Sequence, residues 1–470
     1  MYAPSLIITM NTDRDTIFAL SSGRPPAAIA VIRICGPQAA FALERMIGRV
    51  PEPRRAALVR VRDPASTDGI DEGLALWFPA PHSETGEDMA ELQIHGGRAV
   101  IAATLAALGN LPGLRHAEAG EFTRRAFENG RMDLTAVEGL ADLIAAETQA
   151  QRRQAYEHLR GLLGERAESW RKRLIAALAL VEAGIDFSDE DGVPDETMAQ
   201  ALELVAPLRD EIENACKIRG ERLREGLRIA IAGPPNAGKS TLFNRLARRE
   251  AAIVSPYPGT TRDVLELHLD IGGFPVTVLD TAGIRATDDP VEREGVRRAR
   301  DQAARADLVL WVLDATTSPS QAPCMLHAGL PAQALVWSIV NKIDLAPEPH
   351  LALPGRESAG RSEAGQRGSG RYFVSSTTGA GIDHLVDAIA HFCENYFLAE
   401  PALVARERQR AQLEECARDL RGAQLAAGEG REEIVAEQLR LAARALGKLL
   451  GRVDVEDILD VIFRDFCIGK

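Results

Sequence analysis

Gly233-Pro234-Pro235-Asn236-Ala237-Gly238-Lys239-Ser240 fits the pattern G-x-x-x-x-G-K-S, and its residue types suit a chain of phosphates. Glycines there let backbone N–H groups face the phosphates, and the N-terminus of a following helix adds positive potential. Lys239 reaches the β and γ oxygens, the Ser240 hydroxyl ligates magnesium, and Asn236, Ala237, Gly238 and Thr241 complete the contact run. Downstream, Asp280-Thr281-Ala282-Gly283 closes an apolar run at 276–279, with an aspartate to stand behind magnesium and a glycine to sit under the γ-phosphate. Asn341-Lys342-Ile343-Asp344 closes a second run at 335–340. Its aspartate can accept hydrogen bonds from guanine N1–H and the exocyclic amine, which adenine lacks. Facing adenine, a buried unpaired carboxylate costs about 3 kcal/mol, so the motif selects GTP over ATP. Ser375-Ser376-Thr377, after 372–374, takes the place of the last guanine-contacting loop, with serine where alanine is usual. The motifs run in sequential order, so the domain is not circularly permuted.

Between the first two motifs lies Ser255-Pro256-Tyr257-Pro258-Gly259-Thr260-Thr261-Arg262-Asp263, a switch-like loop in which Thr261 can complete magnesium coordination. Its alternative is an ordinary Pro/Gly turn. Ras-like proteins place a water-orienting glutamine where this chain has Ile284, which cannot hold a water. The catalytic group must come from elsewhere. Asp288, Asp289, Glu292 and Glu294 follow within the same stretch, and each taken singly reads as solvated surface.

The elements that position these residues follow from the patterning. Leu227-Arg228-Ile229-Ala230-Ile231-Ala232 opens alternating strands and helices that run to about residue 397, as in a doubly wound parallel sheet. Residues 135–218 form long amphipathic helices rich in Ala, Leu, Glu and Arg, interrupted near 184–194, and helical periodicity returns beyond Pro401. Helix before and after an α/β block predicts that the block is inserted and that the flanking helices form one bundle. The N-terminal part is α+β, with a strand at 15–19, a Gly/Pro turn at 23–26 and a second strand ending at Arg33-Ile34-Cys35-Gly36. Residues 355–370, rich in Gly, Ser and Arg, read as a surface loop.

At 470 residues the chain suits about three domains, and 46% hydrophobic with 26% charged residues is a globular composition. No apolar run reaches the length of a membrane span, and the start lacks the features of a secretory leader, so a cytoplasmic location is expected. The six cysteines form no C-x-x-C pair, which argues against a zinc cluster or a disulfide framework, and five read as bland. The net charge of −13 directs any nucleic acid to a local basic patch, a composite surface or a partner subunit.

N-A-G-K-S at 236–240, P-G-T-T-R-D at 258–263, D-T-A-G-I-R at 280–285 and V-E-R-E-G at 291–295 together resemble the MnmE (TrmE) tRNA-modification GTPases. The resemblance covers the whole chain. T-G-E-D at 85–88, E-L-Q-I-H-G-G at 91–97, G-E-F-T-R-R-A-F at 120–127 and the terminal F-C-I-G-K at 466–470 also match. It implies a multidomain α+β and α/β protein: a tetrahydrofolate-binding, dimerising domain over 1–130, a discontinuous helical domain over 131–223 and 399–470, and a Ras-like G domain over 224–398. Folate in its methylene or formyl form is implied at Arg33, Glu91, Arg131 and Lys470, with arginine at 131 where the family has lysine. It further implies potassium held by Asn236 with Ser255, Tyr257 and Thr260, Glu292 as the water-orienting carboxylate, and Cys467 near the modification centre.

Read without the family, Arg33 and Glu91 are surface charges, Arg131 starts a helix, and Cys467 is a buried apolar thiol. The implied activity is modification of the wobble uridine of certain tRNAs at carbon 5, jointly with a flavin-containing MnmG (GidA)-type partner that carries FAD. Two other classes compete. An Era- or EngA-like ribosome-assembly GTPase carries an RNA-binding domain after the G domain, whereas this chain has split helices and F-C-I-G-K. A stand-alone folate aminomethyltransferase would lack the GTPase motifs.

Overall fold

A computed structural model describes residues 15–186, 193–217, 220–234, 236–249, 266–280, 306–316, 335–346, 370–397, 402–453, 459, 462, 463, 466, 468 and 469. These fall into two units, one drawn from Met1–Ala141, His158–Asp210 and Gln412–Lys470, the other from Asp142–Glu157 and Glu211–Ala411.

The first unit holds a six-stranded sheet of β1 (Thr16–Leu20), β2 (Ile29–Cys35), β3 (Ala57–Arg62), β4 (Gly69–Phe78), β5 (Met89–His95) and β6 (Leu114–His116), in the order β3-β4-β5-β2-β1-β6. Pairing is antiparallel except between β1 and β6. Side chains alternate across a strand, so the sequence divides the sheet into two faces. Phe18, Ile32, Ile34, Leu92 and Ile94 pack on one face beneath α1 (Ala39–Ile47) and α2 (Arg98–Gly109). Ile17, Ala19, Cys35 and Met89 occupy the other, beneath Phe122 of α3 (Glu121–Glu128). Arg33 and Glu91 share this second face, being in phase with Cys35 and Met89.

Helices α4 (Leu134–Ala145), α5 (Gln149–Leu159), α6 (Leu162–Asp186), α7 (Val193–Lys217) and the short α8 (Glu221–Glu225) follow. In α6 the buried stripe Leu163, Ala167, Trp170, Leu174, Ala177 and Val181 steps by four and three residues, the spacing of one apolar helix face. The helix Glu432–Leu450 carries a matching stripe of Val435, Leu439, Ala442, Leu446 and Leu449. Ion pairs at the two ends of the contact, Arg440–Glu182 at 3.0 Å and Arg452–Glu168 at 3.0 Å, show the two helices running antiparallel. Helical segments from before and after the α/β block thus pack together.

The second unit holds β7 (Leu227–Ala232), β8 (Glu266–Ile271), β9 (Phe274–Asp280), β10 (Leu308–Asp314), β11 (Leu335–Asn341) and β12 (Arg371–Phe373), in the order β12-β11-β10-β7-β9-β8. All neighbours are parallel except the edge pair β8–β9. That pair is a hairpin closed by Gly272-Gly273 at φ 62° and 88°, inside the pair Ile271↔Phe274; a two-residue turn of this hand needs positive φ at both positions. The strands are apolar on both faces, as a covered parallel sheet requires, and one face packs on Leu242, Phe243 and Leu246 of α9 (Lys239–Arg249) and on Ile382, Leu385 and Ile389 of the helix Ile382–Phe397. Among the described residues no helix is long and apolar enough to cross a membrane.

Candidate functional site

Parallel strands bring their carboxyl ends to one edge, and β7, β9 and β11 deliver the three nucleotide motifs there. The turn out of β7 is tight. Gly233 has φ 144°, and a Cβ on it would stand 2.3 Å from the Val312 carbonyl oxygen, so only glycine fits. Asn236 adopts φ 63° and Gly238 φ 93°, after which the Leu242 N–H donates to the Gly238 carbonyl at 2.9 Å and α9 begins. Lys239 is buried, its Nζ donating to the carbonyls of Gly233 and Pro234 at 3.0 Å each, which holds the ammonium over the loop. Ser240, Thr241 and Asn236 are exposed at the mouth of the loop. Magnesium takes hard oxygen ligands, and the exposed Ser240 hydroxyl fits that requirement; Asn236 offers an exposed side-chain carbonyl, the donor type that suits potassium. Among the described residues there is no cluster of three His, Cys, Asp or Glu able to hold a metal by itself.

Asn341, which is buried, ties two loops together. Its Nδ2 donates to the Ala237 carbonyl at 2.9 Å, while its Oδ1 accepts from the Ser376 N–H at 3.0 Å and the Ser376 hydroxyl at 2.9 Å. The serine in place of the usual alanine therefore adds a bond to this tie. Ser375, also buried, accepts at Oγ from the Thr378 N–H at 3.1 Å, and Arg245 of α9 donates to the carbonyls of Ser376, at 3.0 Å, and Thr377. Lys342 sits at φ 64° and its Nζ donates to Asp314 Oδ2 at 2.6 Å. Burial pushes the Asp314 carboxyl up, but Lys342 and the N–H and hydroxyl of Thr316 outweigh it and hold it below the ordinary range. Asp344 is exposed at the same edge. Ser255, Pro256, Tyr257, Pro258, Gly259, Thr260, Thr261, Thr281, Ala282, Gly283, Glu292, Cys467 and Lys470 lie outside the described residues.

In the first unit, Arg33 and Glu91 are direct register partners on β2 and β5. Nη2 and Nε of Arg33 donate to Glu91 Oε1 at 3.2 and 3.3 Å, Nη1 lies 2.9 Å from Glu84 Oε2, and the guanidinium carbon stands 5.7 Å from the Phe122 ring centroid. Both partners are only 16% exposed, so they form a built pair rather than two surface charges. Arg131 follows α3 and is exposed; its stem runs past Gly86, where a Cβ would stand 3.4 Å from it. Behind this face, Arg125 donates to Glu87 at 2.9 Å, Glu121 at 3.0 Å and the Asp15 carbonyl at 2.9 Å. Cys35 Sγ is 3.1 Å from Thr85 Oγ1, and burial and then Glu87 push its thiol up to about 12, which leaves it unreactive. T-G-E-D and G-E-F-T-R-R-A-F thus meet in one buried ion network, a role that their separate positions in the chain do not signal.

The C-terminal segment docks on the same unit. Ile468 bridges Ala119, and Gly469 at φ 96° lies against β1 so closely that a Cβ would stand 2.2 Å from the Leu20 carbonyl oxygen. Leu20 is the register partner of Ile32, beside Arg33, so the described end of F-C-I-G-K reaches the neighbourhood of the Arg33–Glu91 pair.

Two family models match the chain in succession. A family model of the MnmE helical domain matches residues 134–467, and one of the GTP-binding protein TrmE N-terminus matches residues 16–131. The tRNA modification GTPase MnmE of Rhodopseudomonas palustris (strain BisB18) is 53% identical over 463 residues, covering 98% of this chain and 100% of that protein. The protein of the same description from Bradyrhizobium sp. (strain BTAi1 / ATCC BAA-1182) is 54% identical over 464 residues, again covering 98% of this chain and 100% of that one. Among solved structures, the G domain of the T. maritima FeoB iron transporter is 26% identical and covers 35% of this chain and 98% of that one, at a TM-score of 0.25. With both family models matched and relatives more than half identical from end to end, this chain belongs to the MnmE (TrmE) family of tRNA modification GTPases.

Proposed function

We propose that this chain is a potassium-activated GTPase that works in the cytoplasm as a homodimer, in a heterotetramer with an MnmG (GidA)-type flavoprotein carrying FAD. Together they install an aminomethyl or carboxymethylaminomethyl group at carbon 5 of the wobble uridine of certain tRNAs. The domains are those expected above, over 1–130, 131–223 with 399–470, and 224–398.

In the G domain, Ser240 and Thr261 would hold magnesium, and Asp344 reads the base. Asn236 and backbone oxygens at Ser255, Tyr257 and Thr260 would hold potassium, which supplies positive charge where the transition state spreads negative charge over the phosphoryl oxygens. Glu292 orients the attacking water, the duty that Ile284 cannot perform. In the N-terminal domain, Arg33, Glu91, Arg131 and Lys470 would hold a tetrahydrofolate, which supplies the one-carbon unit, with Cys467 close to that chemistry. GTP hydrolysis then drives closure and opening of paired G domains and couples them to the modification centre.

The observation that carries this reading is the docking of Ile468 and Gly469 beside β1, next to the strand of Arg33, in a chain whose phosphate loop is also tied through Asn341 to the loop at Ser376. Mass spectrometry of wobble uridines from cells lacking the protein tests it. The modified uridine should vanish and return with the wild-type gene; an unchanged nucleoside profile refutes the reading.

A further inference from the structure

We infer that Glu84 is an internal competitor for the Arg33 guanidinium, a carboxylate that an incoming tetrahydrofolate must displace, so that Glu84 sets the affinity of the N-terminal site. The inference rests on the folate reading proposed above.

Arg33 serves two carboxylates that differ in kind. Glu91 is fixed by the strand register, is 16% exposed, and takes both Nε and Nη2. Glu84 forms an ion pair in which its Oε2 lies 2.9 Å from Nη1, and it is 49% exposed. An ion pair with one half-solvated partner is held weakly, because water screens it and the side chain recovers rotamer freedom when it leaves. Displacement needs no movement of the backbone. Ser83 and Thr85, on either side, are buried; Thr85 Oγ1 accepts from the Glu87 N–H at 3.3 Å and the Thr85 carbonyl accepts from Asn129 Nδ2 at 2.8 Å. Glu84 can therefore swing away from a stationary loop.

Charge gives the direction of the effect. Arg33, Glu84 and Glu91 sum to one negative charge, while a folate carries the carboxylates of its glutamate tail and has ring oxygens that accept hydrogen bonds. Each guanidinium edge held by a glutamate is an edge denied to such acceptors. Glu84→Gln removes one charge, keeps the shape of the side chain and loosens its hold on Nη1, while Glu84→Ala frees that edge entirely.

The test is calorimetric titration of the full-length protein with 5-formyltetrahydrofolate at two salt concentrations. The expected result is about two- to fivefold tighter binding for Glu84→Gln and Glu84→Ala than for wild type, the range of one exposed ion pair, with the gain shrinking at high salt. Arg33→Ala should weaken binding. Wild-type binding that is lost in Arg33→Ala but is unchanged or weaker in both Glu84 variants overturns the competitor role while leaving the folate reading standing. Failure of wild type and both Glu84 variants to bind overturns the folate reading and the competitor role with it.

Discussion

Replacing Asn341 with alanine should uncouple the phosphate loop from the guanine loop. Three hydrogen bonds disappear together: Nδ2 to the Ala237 carbonyl at 2.9 Å, and the Ser376 N–H and hydroxyl to Oδ1 at 3.0 and 2.9 Å. At about 1 kcal/mol net for each, the loss is about 3 kcal/mol, or roughly a hundredfold in an equilibrium constant. These bonds pre-order the loops, so the deficit divides between weaker GTP binding and a less stable G domain. Calorimetry with GTP and urea unfolding measure the two parts, whose sum should approach the full amount. Ser376→Ala is the internal control: it removes only the hydroxyl bond and should cost about 1 kcal/mol. If Asn341→Ala changes both affinity and stability by less than twofold, or costs no more than Ser376→Ala, the reasoning fails.

Asp344→Asn should weaken GTP binding about a hundredfold, since hydrogen bonds to a charged acceptor are worth about 1.5–3 kcal/mol, and should admit xanthosine triphosphate, whose C2 oxygen can accept from the amide. Competition between the two nucleotides checks this, and undiminished GTP preference would remove the assignment. Asn236→Ala should abolish stimulation of hydrolysis by potassium while leaving magnesium-dependent GTP binding largely in place; equal wild-type rates in potassium and sodium at matched ionic strength would contradict the potassium role. Arg125→Met leaves Glu87 and Glu121 without their buried partner and should cost about 3–5 kcal/mol, visible as faster amide exchange in β1 and β2. Burial raises the Glu121 pKa, but the Arg115 hydrogen bond, the Glu118 N–H and Arg125 outweigh it, so the folded pKa lies below the unfolded one. That stabilisation is fully present above the ordinary carboxylate pKa and is lost as pH falls below it through the depressed folded pKa, so the deficit of the variant should narrow in acid.

The elements that hold the nucleotide are legible in local residues. β7 appears where the apolar run 227–232 meets G-x-x-x-x-G-K-S, because a strand, a glycine turn and a helix start each have a short-range cause. What joins them is not local. Asn341 reads in the chain as part of a guanine motif, yet its side chain bonds residues 104 and 35 positions away, and no periodicity signals such a tie. The serine at 376 looks like a departure until its hydroxyl is seen to reach Asn341. Arg33 and Glu91 read alone as surface charges, because the register that sets them opposite one another joins strands 58 residues apart. Glu84 carries no motif meaning at all; only the loop pinned at Ser83 and Thr85 gives it one.

The proposed function couples hydrolysis in the G domain to tRNA modification by the rest of the chain. The direct measurement is formation of the modified wobble uridine on unmodified tRNA by this protein with an added MnmG-type flavoprotein, a tetrahydrofolate and an amine donor. Reactions would contain GTP, GDP or a non-hydrolysable GTP analogue. Product should accumulate with GTP in potassium buffer and be absent with GDP or the analogue. Equal product with all three nucleotides would contradict the account.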